Sequence, residues 1–203
     1  MANEIVVDPE ISRAKFAREL DRWHELAAEY GKRGIFIIEA RFPNVFAVFT
    51  APQLNPASVV FGVALNFDNY DLSPPSVRFL NPFTREPYSR ANLPEFLQRP
   101  QMPPNVAVPP GAQVLMKGPP AVMFQEPQGE AGEAFFCMQG VREYHSHPAH
   151  TGDPWILHRG TGKGTLFQIL DQLHEFGITI LKGYNMNLQI QINGYQSGWS
   201  WQA

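Results

Sequence analysis

The 203-residue sequence contains a single cysteine, so the chain cannot form an internal disulfide. This usage is typical of a reducing compartment. No run of about 18 apolar residues occurs, so we expect no membrane-spanning helix. The opening residues lack a basic segment followed by an apolar one, which argues against a signal peptide. Together these absences predict a cytoplasmic protein with no membrane partner.

The sequence also has no excess of positive charge. The formal net charge is −3, which argues against a nucleic-acid partner or an acidic membrane surface. Neither the GxGxxG motif nor the GxxxxGK[ST] motif occurs, and no internal repeat is visible. The apolar fraction of 44% is ordinary for a globular protein with a real core.

Proline is frequent, with 19 residues that concentrate between positions 74 and 127. Residues 81–132 are rich in proline, glutamine and asparagine and predict a long irregular insertion, in which 93–98 could form one short helical turn. Such a loop is either a functional element or a surface insertion without a task, and both interpretations stay open.

Around this insertion the sequence predicts an α+β fold. Asp8 and Pro9 suit the start of a helix, and apolar residues at steps of three and four extend it over 9–30. Residues 35–42 and 45–50 predict two strands, and an alternating pattern from Val59 to Phe67 predicts a third. These elements form an N-terminal helix and an antiparallel meander.

The second half predicts a further helix over 163–176, closed by Gly177, and then strands over 178–181 and 187–192. We therefore expect one domain over residues 1–203. Trp199 and Trp201 in the tail favour core cover over a contact surface.

Residues 137–158 carry a higher density of reactive side chains than most other parts of the chain. They include the one cysteine and four of the six histidines. They also include two carboxylates, on Glu143 and Asp153. The cysteine and histidines are Cys137, His145, His147, His150 and His158.

The first chemistry that this segment suggests is metal binding. If the segment is extended, Glu143, His145 and His147 share one face, because alternate residues of a strand point the same way. Cys137 would add a thiolate, and together these groups form a common zinc set. His150 and His158 are alternate ligands, since Pro148 turns the chain. The spacing matches no standard zinc finger.

Two other interpretations stay open. Cys137 could be a nucleophile, activated by a neighbouring histidine. It could equally be a small buried hydrophobe behind Phe135 and Phe136, with the histidines as ordinary loop residues. Other residues favour structural roles: His24, His174 and Trp155.

The order of elements, and one motif, resemble the ubiquitin-conjugating enzyme fold. Residues 61–79 read FGVALNFDNYDLSPPSVRF, similar to that family's strand, proline pair and Val-x-Phe step. Cys137, Trp155 and the helix over 163–176 then match the family's catalytic cysteine, tryptophan and helix in order. The family's His-Pro-Asn tripeptide is absent. The resemblance covers about residues 11–176.

Residues 137–158 are also similar to a bacterial family predicted to bind metal through Cys, Glu and two His, whose members accompany ubiquitin-like modification operons. This resemblance implies a zinc-binding component of such a pathway, in antiphage defence, with a ubiquitin-like protein and its activating enzyme as partners. The ligands it implies are Cys137, Glu143, His145 and His147. The alternatives are a conjugating enzyme with a thioester on Cys137, a metal-dependent hydrolase, and a non-catalytic binder of those partners.

Overall fold

A computed structural model describes residues 8–88 and 135–184, together with the backbone of three short strands between them. Predictions over 187–192, at Trp199 and Trp201, and over 93–97 lie outside the described residues. Within the two long described ranges, none of the helices combines the length and apolar composition that a membrane span requires.

The chain begins with helix α1, Pro9–Lys32, which confirms the predicted N-terminal helix. Asp8 caps it by accepting a 2.9 Å hydrogen bond from the amide of Glu10. The helix ends before Gly34, whose φ of 88° suits glycine. A Cβ there would lie 2.4 Å from the carbonyl oxygen of Thr50. The buried apolar residues of α1 are Phe16, Trp23 and Tyr30.

Four antiparallel strands follow in sequence order. They are β1 (Ile35–Arg41), β2 (Asn44–Ala51), β3 (Ser58–Asn66) and β4 (Ser76–Leu80). The first three confirm the predicted meander. The fourth begins directly after the proline pair, Pro74 and Pro75, and was not among the predicted strands.

One side of this sheet packs against α1 and carries the core. Phe61, Val63 and Leu65 alternate on β3 and are fully buried, as the period of two predicts. Val59 was expected on the same face but is 39% exposed. The β2–β3 register shifts between Phe49 and Thr50, and a bulge of this kind changes which face the neighbouring side chains occupy.

Short strands extend the sheet beyond β4. Strands β5 (Gln98–Arg99), β6 (Ala121–Val122) and β7 (Phe124–Gln125) lie within the proline-rich insertion, and β8 (Phe135–Phe136) follows it. The main sheet has the order β1-β2-β3-β4-β8-β7, and β5 pairs with β6 separately. The insertion is therefore not irregular throughout. Its last strand and β8 carry the chain back to the sheet beside β4.

Helix α2 (Arg142–Ser146), within the segment that carries the histidines, is short, and helix α3 (Leu166–Gly177), beyond that segment, is longer. Thr165 caps α3 by accepting a hydrogen bond from the amide of Gln168. The predicted strand over 178–181 is wrong, because residues 178–180 form a turn and Leu181 is not in a strand. The side chain of Gln53 donates to the carbonyls of Ile178 and Leu181, in place of a strand partner.

Candidate functional site

The cysteine follows the last strand of the sheet and precedes a tight turn. Cys137 comes directly after β8 and is only 8% exposed. Gly140 then adopts a φ of 94°, and a Cβ there would lie 2.4 Å from the amide nitrogen of Gly164. Only glycine fits such a close approach without a shift of the backbone. The turn holds the cysteine segment against the start of α3.

The proline pair that carries the family resemblance also anchors this segment. Arg142, the first residue of α2, donates from its backbone to the carbonyl of Pro75 at 2.9 Å. Its side chain donates to the carbonyls of Pro74 and Asp68, at 3.1 and 2.6 Å. Proline has no backbone N–H, so the carbonyl is the only backbone group through which either proline can form a hydrogen bond.

The segment that carries Glu143 and His145 is helical, so the extended conformation that the shared face requires does not occur there. In α2 two residues at i and i+2 lie about 200° apart around the axis, whereas in a strand they would share a face. Glu143 accordingly points to β4, where it accepts hydrogen bonds from the Ser76 hydroxyl and from the amide of Val77. Both of its carboxylate oxygens are engaged in holding α2 to the sheet.

His145 lies on another side of α2 and also has both ring nitrogens occupied. Its Nε2 accepts from the amide of Gly140 at 3.1 Å, and its Nδ1 lies 2.8 Å from the carbonyl oxygen of Asp153. A carbonyl only accepts, so Nδ1 carries the proton. Burial lowers the pKa of His145, which favours this neutral form.

The cysteine instead pairs with His150, one of the two alternate histidines. Its Sγ lies 3.4 Å from Nε2 of His150. The pair forms because Pro148–His150 is a 3₁₀ turn that returns the chain toward β8. His147 lies before this turn, where its Nδ1 accepts from the amide of Ala149 at 3.2 Å. The rings of His147 and His150 have centroids 5.7 Å apart.

Asp153 is the centre of a second polar cluster beside this pair. Its carboxylate accepts hydrogen bonds from the hydroxyl of Tyr144 at 2.8 Å and the amide of Gln139 at 3.0 Å. It also contacts Nε2 of His158. The hydrogen bonds from His158 and Tyr144 lower the pKa of Asp153 to about 2, so its carboxylate is ionised at neutral pH.

The two clusters meet at Tyr144. The Tyr144 ring stacks on His150, with centroids 3.9 Å apart and planes at 21°. Neither Tyr144 nor Gln139 was singled out by the sequence analysis. No local pattern identifies them, because their role depends on the turn that returns His150 to Cys137.

The four predicted metal ligands are therefore not gathered at one point. Across residues 8–88 and 135–184, no group of three or more His, Cys, Asp or Glu side chains is placed to hold a metal ion. Cys137 contacts His150, whereas Glu143 forms hydrogen bonds with β4 and His145 with the carbonyl of Asp153. The metal set predicted from the sequence stays a prediction.

Among the residues taken as structural, two have contacts that fit such a role. His174 is buried on α3 and both ring nitrogens contact Arg33, one at its guanidinium and one at its carbonyl. Trp155 is 9% exposed and its indole donates to the carbonyl of Asp71 at 2.9 Å. His24 lies on the exposed side of α1.

Sequence comparison relates this chain to a described family. A family model for Y4jH-like proteins, the Y4jH family, matches residues 7–181. A protein of Sinorhizobium fredii (strain NBRC 101917 / NGR234), described as the uncharacterized protein y4jH, is 40% identical over 189 residues. The match covers 93% of this chain and 92% of that protein. The family model spans the whole of 137–158.

Proposed function

We propose that this chain, which belongs to the Y4jH-like family, is a cysteine-centred component of a bacterial ubiquitin-like modification pathway. In this proposal Cys137 accepts the C-terminus of a ubiquitin-like protein as a thioester. The observation that carries it is the 3.4 Å contact between Sγ of Cys137 and Nε2 of His150. An imidazole in that position can take the thiol proton and generate the thiolate nucleophile.

The proposed step conserves atoms and protons. The Cys137 thiol gives its proton to Nε2 of His150, and the thiolate attacks the carbonyl carbon of the thioester on the activating enzyme. A new carbon–sulfur bond forms at Cys137 as the bond to the activating enzyme's cysteine breaks. The departing thiolate takes the proton from His150. No oxidant or cofactor is consumed.

The architecture supports the choice of substrate class. An N-terminal helix, a three-stranded meander, a proline pair and a fourth strand precede the cysteine, and a tryptophan and a helix follow it. This is the order that resembles the conjugating fold. The proline pair also contacts the cysteine segment, because Arg142 binds the carbonyls of Pro74 and Pro75.

Thioester formation can be tested directly because Cys137 is the only cysteine. The protein is incubated with ATP, the ubiquitin-like protein of its host and the cognate activating enzyme, and the products are separated without reductant. We expect an adduct that thiols cleave in the wild type and a thiol-resistant ester in Cys137→Ser. Cys137→Ala should give none. A wild type that forms no adduct while the activating enzyme is charged would refute the proposal.

A second candidate function is zinc binding, which one distance favours. Zn–S bonds of about 2.3 Å and Zn–N bonds of about 2.0–2.1 Å in tetrahedral geometry place two ligand atoms about 3.5 Å apart. The Cys137–His150 separation of 3.4 Å fits this value. The ring centroid of His147 lies 5.7 Å from that of His150, so His147 would have to move to join the pair, and Glu143 and His145 would first have to give up their present hydrogen bonds.

This candidate has its own experiment. If Cys137, His147 and His150 share a zinc ion, the purified protein carries close to one zinc per chain and a chelator lowers its melting temperature. The double variant Cys137→Ala/His150→Ala should then cost much less stability than the sum of the single variants, since either one opens the site. Metal-free protein from chelator-free preparations would exclude it. Such a zinc would serve either as a brace or, with an open position, to activate a water molecule.

A further inference from the structure

Beyond the cysteine and its histidine, the structure assigns Tyr144 as a positioning residue. We propose that the Tyr144 ring is a rigid platform that holds the His150 ring with Nε2 toward Cys137, and that Asp153 fixes the platform through the tyrosine hydroxyl. This inference rests on the proposed cysteine function. It adds a residue that touches neither the thiol nor the incoming thioester but sets the geometry of the base.

The stack is the first support. His150 lies on a short 3₁₀ turn and is only half-buried, so its side chain would otherwise sample several rotamers. Tyr144 lies four residues before the turn begins, on α2, and its ring contacts the imidazole face at a centroid distance of 3.9 Å. Contact on the face is compatible with the 3.4 Å approach of Nε2, at the edge of the imidazole, to Sγ of Cys137.

The second support is that Tyr144 is held at both ends. Its backbone belongs to α2, which Glu143 and Arg142 bind to β4 and the proline pair. Its hydroxyl donates to Oδ2 of Asp153, at 2.8 Å. The hydroxyl is the donor in this bond, because an ionised carboxylate only accepts.

Asp153 itself is well fixed. Gln139 donates to the same carboxylate oxygen at 3.0 Å, and His158 contacts the other one. The backbone amide of Asp153 donates to the carbonyl of His150 at 3.0 Å. Asp153 therefore links the turn that carries His150 to the hydroxyl of Tyr144, and the His150 ring stacks on the Tyr144 ring. Asp153 thus restrains movement of the His150 turn relative to the Tyr144 ring.

The experiment compares two substitutions at one position. Tyr144→Phe keeps the ring and loses only the hydroxyl, whereas Tyr144→Leu removes the platform. The first readout is the rate of alkylation of Cys137 by iodoacetamide at a fixed pH in the full chain. The second is the NMR shift of the His150 ring protons, which a ring stacked at this distance moves upfield. Tyr184→Leu, an exposed tyrosine remote in sequence, is the matched control.

We expect Tyr144→Leu to slow alkylation about three- to ten-fold, as the loss of one stacked pair implies. The upfield shift should disappear in the same variant. Tyr144→Phe should keep the shift and react at a rate between those of the wild type and Tyr144→Leu, because the ring remains but no longer binds Asp153. Tyr184→Leu should match the wild type in both readouts. A rescue by phenylalanine is not expected of a residue that only stabilises the fold through its hydroxyl.

Other outcomes overturn the inference. If His150→Asn slows alkylation but Tyr144→Leu does not, the platform is wrong while the Cys137–His150 pair stands. If His150→Asn has no effect, the proposed cysteine function fails and the positioning role fails with it. Phenylalanine as slow as leucine would likewise refute the ring as the operative group. Should Tyr144→Leu not fold, Tyr144→Met removes the ring with a flexible side chain of similar length.

Discussion

The indole nitrogen of Trp155 donates a 2.9 Å hydrogen bond to the backbone carbonyl of Asp71. The two residues are 84 positions apart, and the bond joins the segment that follows His150 to the loop before the proline pair. Asp71 also binds Lys15 of α1 and Arg159 through its carboxylate. This loop therefore connects α1 with the segment that follows His150.

Loss of that indole bond should weaken the fold. Trp155→Phe keeps an aromatic ring but leaves the Asp71 carbonyl without its donor, so we expect a loss of about 1–3 kcal/mol in the free energy of unfolding. Urea titration followed by fluorescence of the remaining tryptophans, or by circular dichroism, measures it. Ile156→Ala is the control, because Ile156 is 67% exposed and should change little. Equal stability of both variants would contradict the role assigned to Trp155.

Glu143 should affect stability rather than metal content. Glu143→Ala removes the acceptor of the Ser76 hydroxyl and the Val77 amide, which we expect to cost about 1–3 kcal/mol. Any zinc in the purified protein should remain bound, since Glu143 faces β4. Melting curves and elemental analysis of the same preparation test both statements. Loss of zinc with unchanged stability would restore Glu143 as a ligand.

Asp153 should contribute to stability in a defined pH range. Its pKa in the folded protein is about 2, below the ordinary value of 3.8, so the ionised form favours the folded state. That contribution is fully present above about pH 4 and is lost as the pH falls toward 2. The stability gap between the wild type and Asp153→Asn should therefore narrow over this range. Urea midpoints at pH 5, 3 and 2 measure the gap, and a gap independent of pH would contradict the shift.

Glu19 should give stability the opposite dependence on pH to that of Asp153. Burial raises its pKa above 4.5, although the Tyr70 hydroxyl and the amide of Leu166 donate to its carboxylate. The protonated form thus favours the folded state, and its contribution is lost as the pH rises through the folded-state pKa. Relative to the wild type, Glu19→Gln should be more stable at pH 7 than at pH 4. Glu25→Gln, exposed on the same helix, supplies the baseline for removal of one charge.

Alanine substitutions at Gly160 and Gly140 distinguish the cost of backbone strain from the cost of steric overlap. Gly160 has a φ of 77° and open space around its missing Cβ, so Gly160→Ala should cost only the left-handed penalty of about 1–2 kcal/mol. Gly140 has a similar φ but lies against the Gly164 backbone. Gly140→Ala should cost distinctly more and also slow alkylation of Cys137. Equal losses in both variants would mean that the contact with Gly164 relaxes freely.

Much of the fold follows from local sequence patterns. The capping residue and the three- and four-residue spacing predict α1, and alternation predicts the first three strands, because a single buried face forces a period of 3.6 or 2 on the apolar residues. The same periodicity predicts α3. The coincidence of one cysteine with four histidines in 137–158 also identifies the region of interest without any structure.

The partners within that region were decided by tertiary contacts. Residues 142–146 have no long periodic pattern, and they form a helix whose first residue is anchored to Pro74 and Pro75, about 70 positions earlier. In that helix Glu143 points toward Ser76. Glu143, His145 and His147 therefore do not share the face that they would share in an extended segment. Cys137 then meets His150 because a proline turn folds back onto β8. Local propensity alone could not predict the pairing of Cys137 with His150, since the contacts that stabilise this arrangement join groups far apart in the sequence.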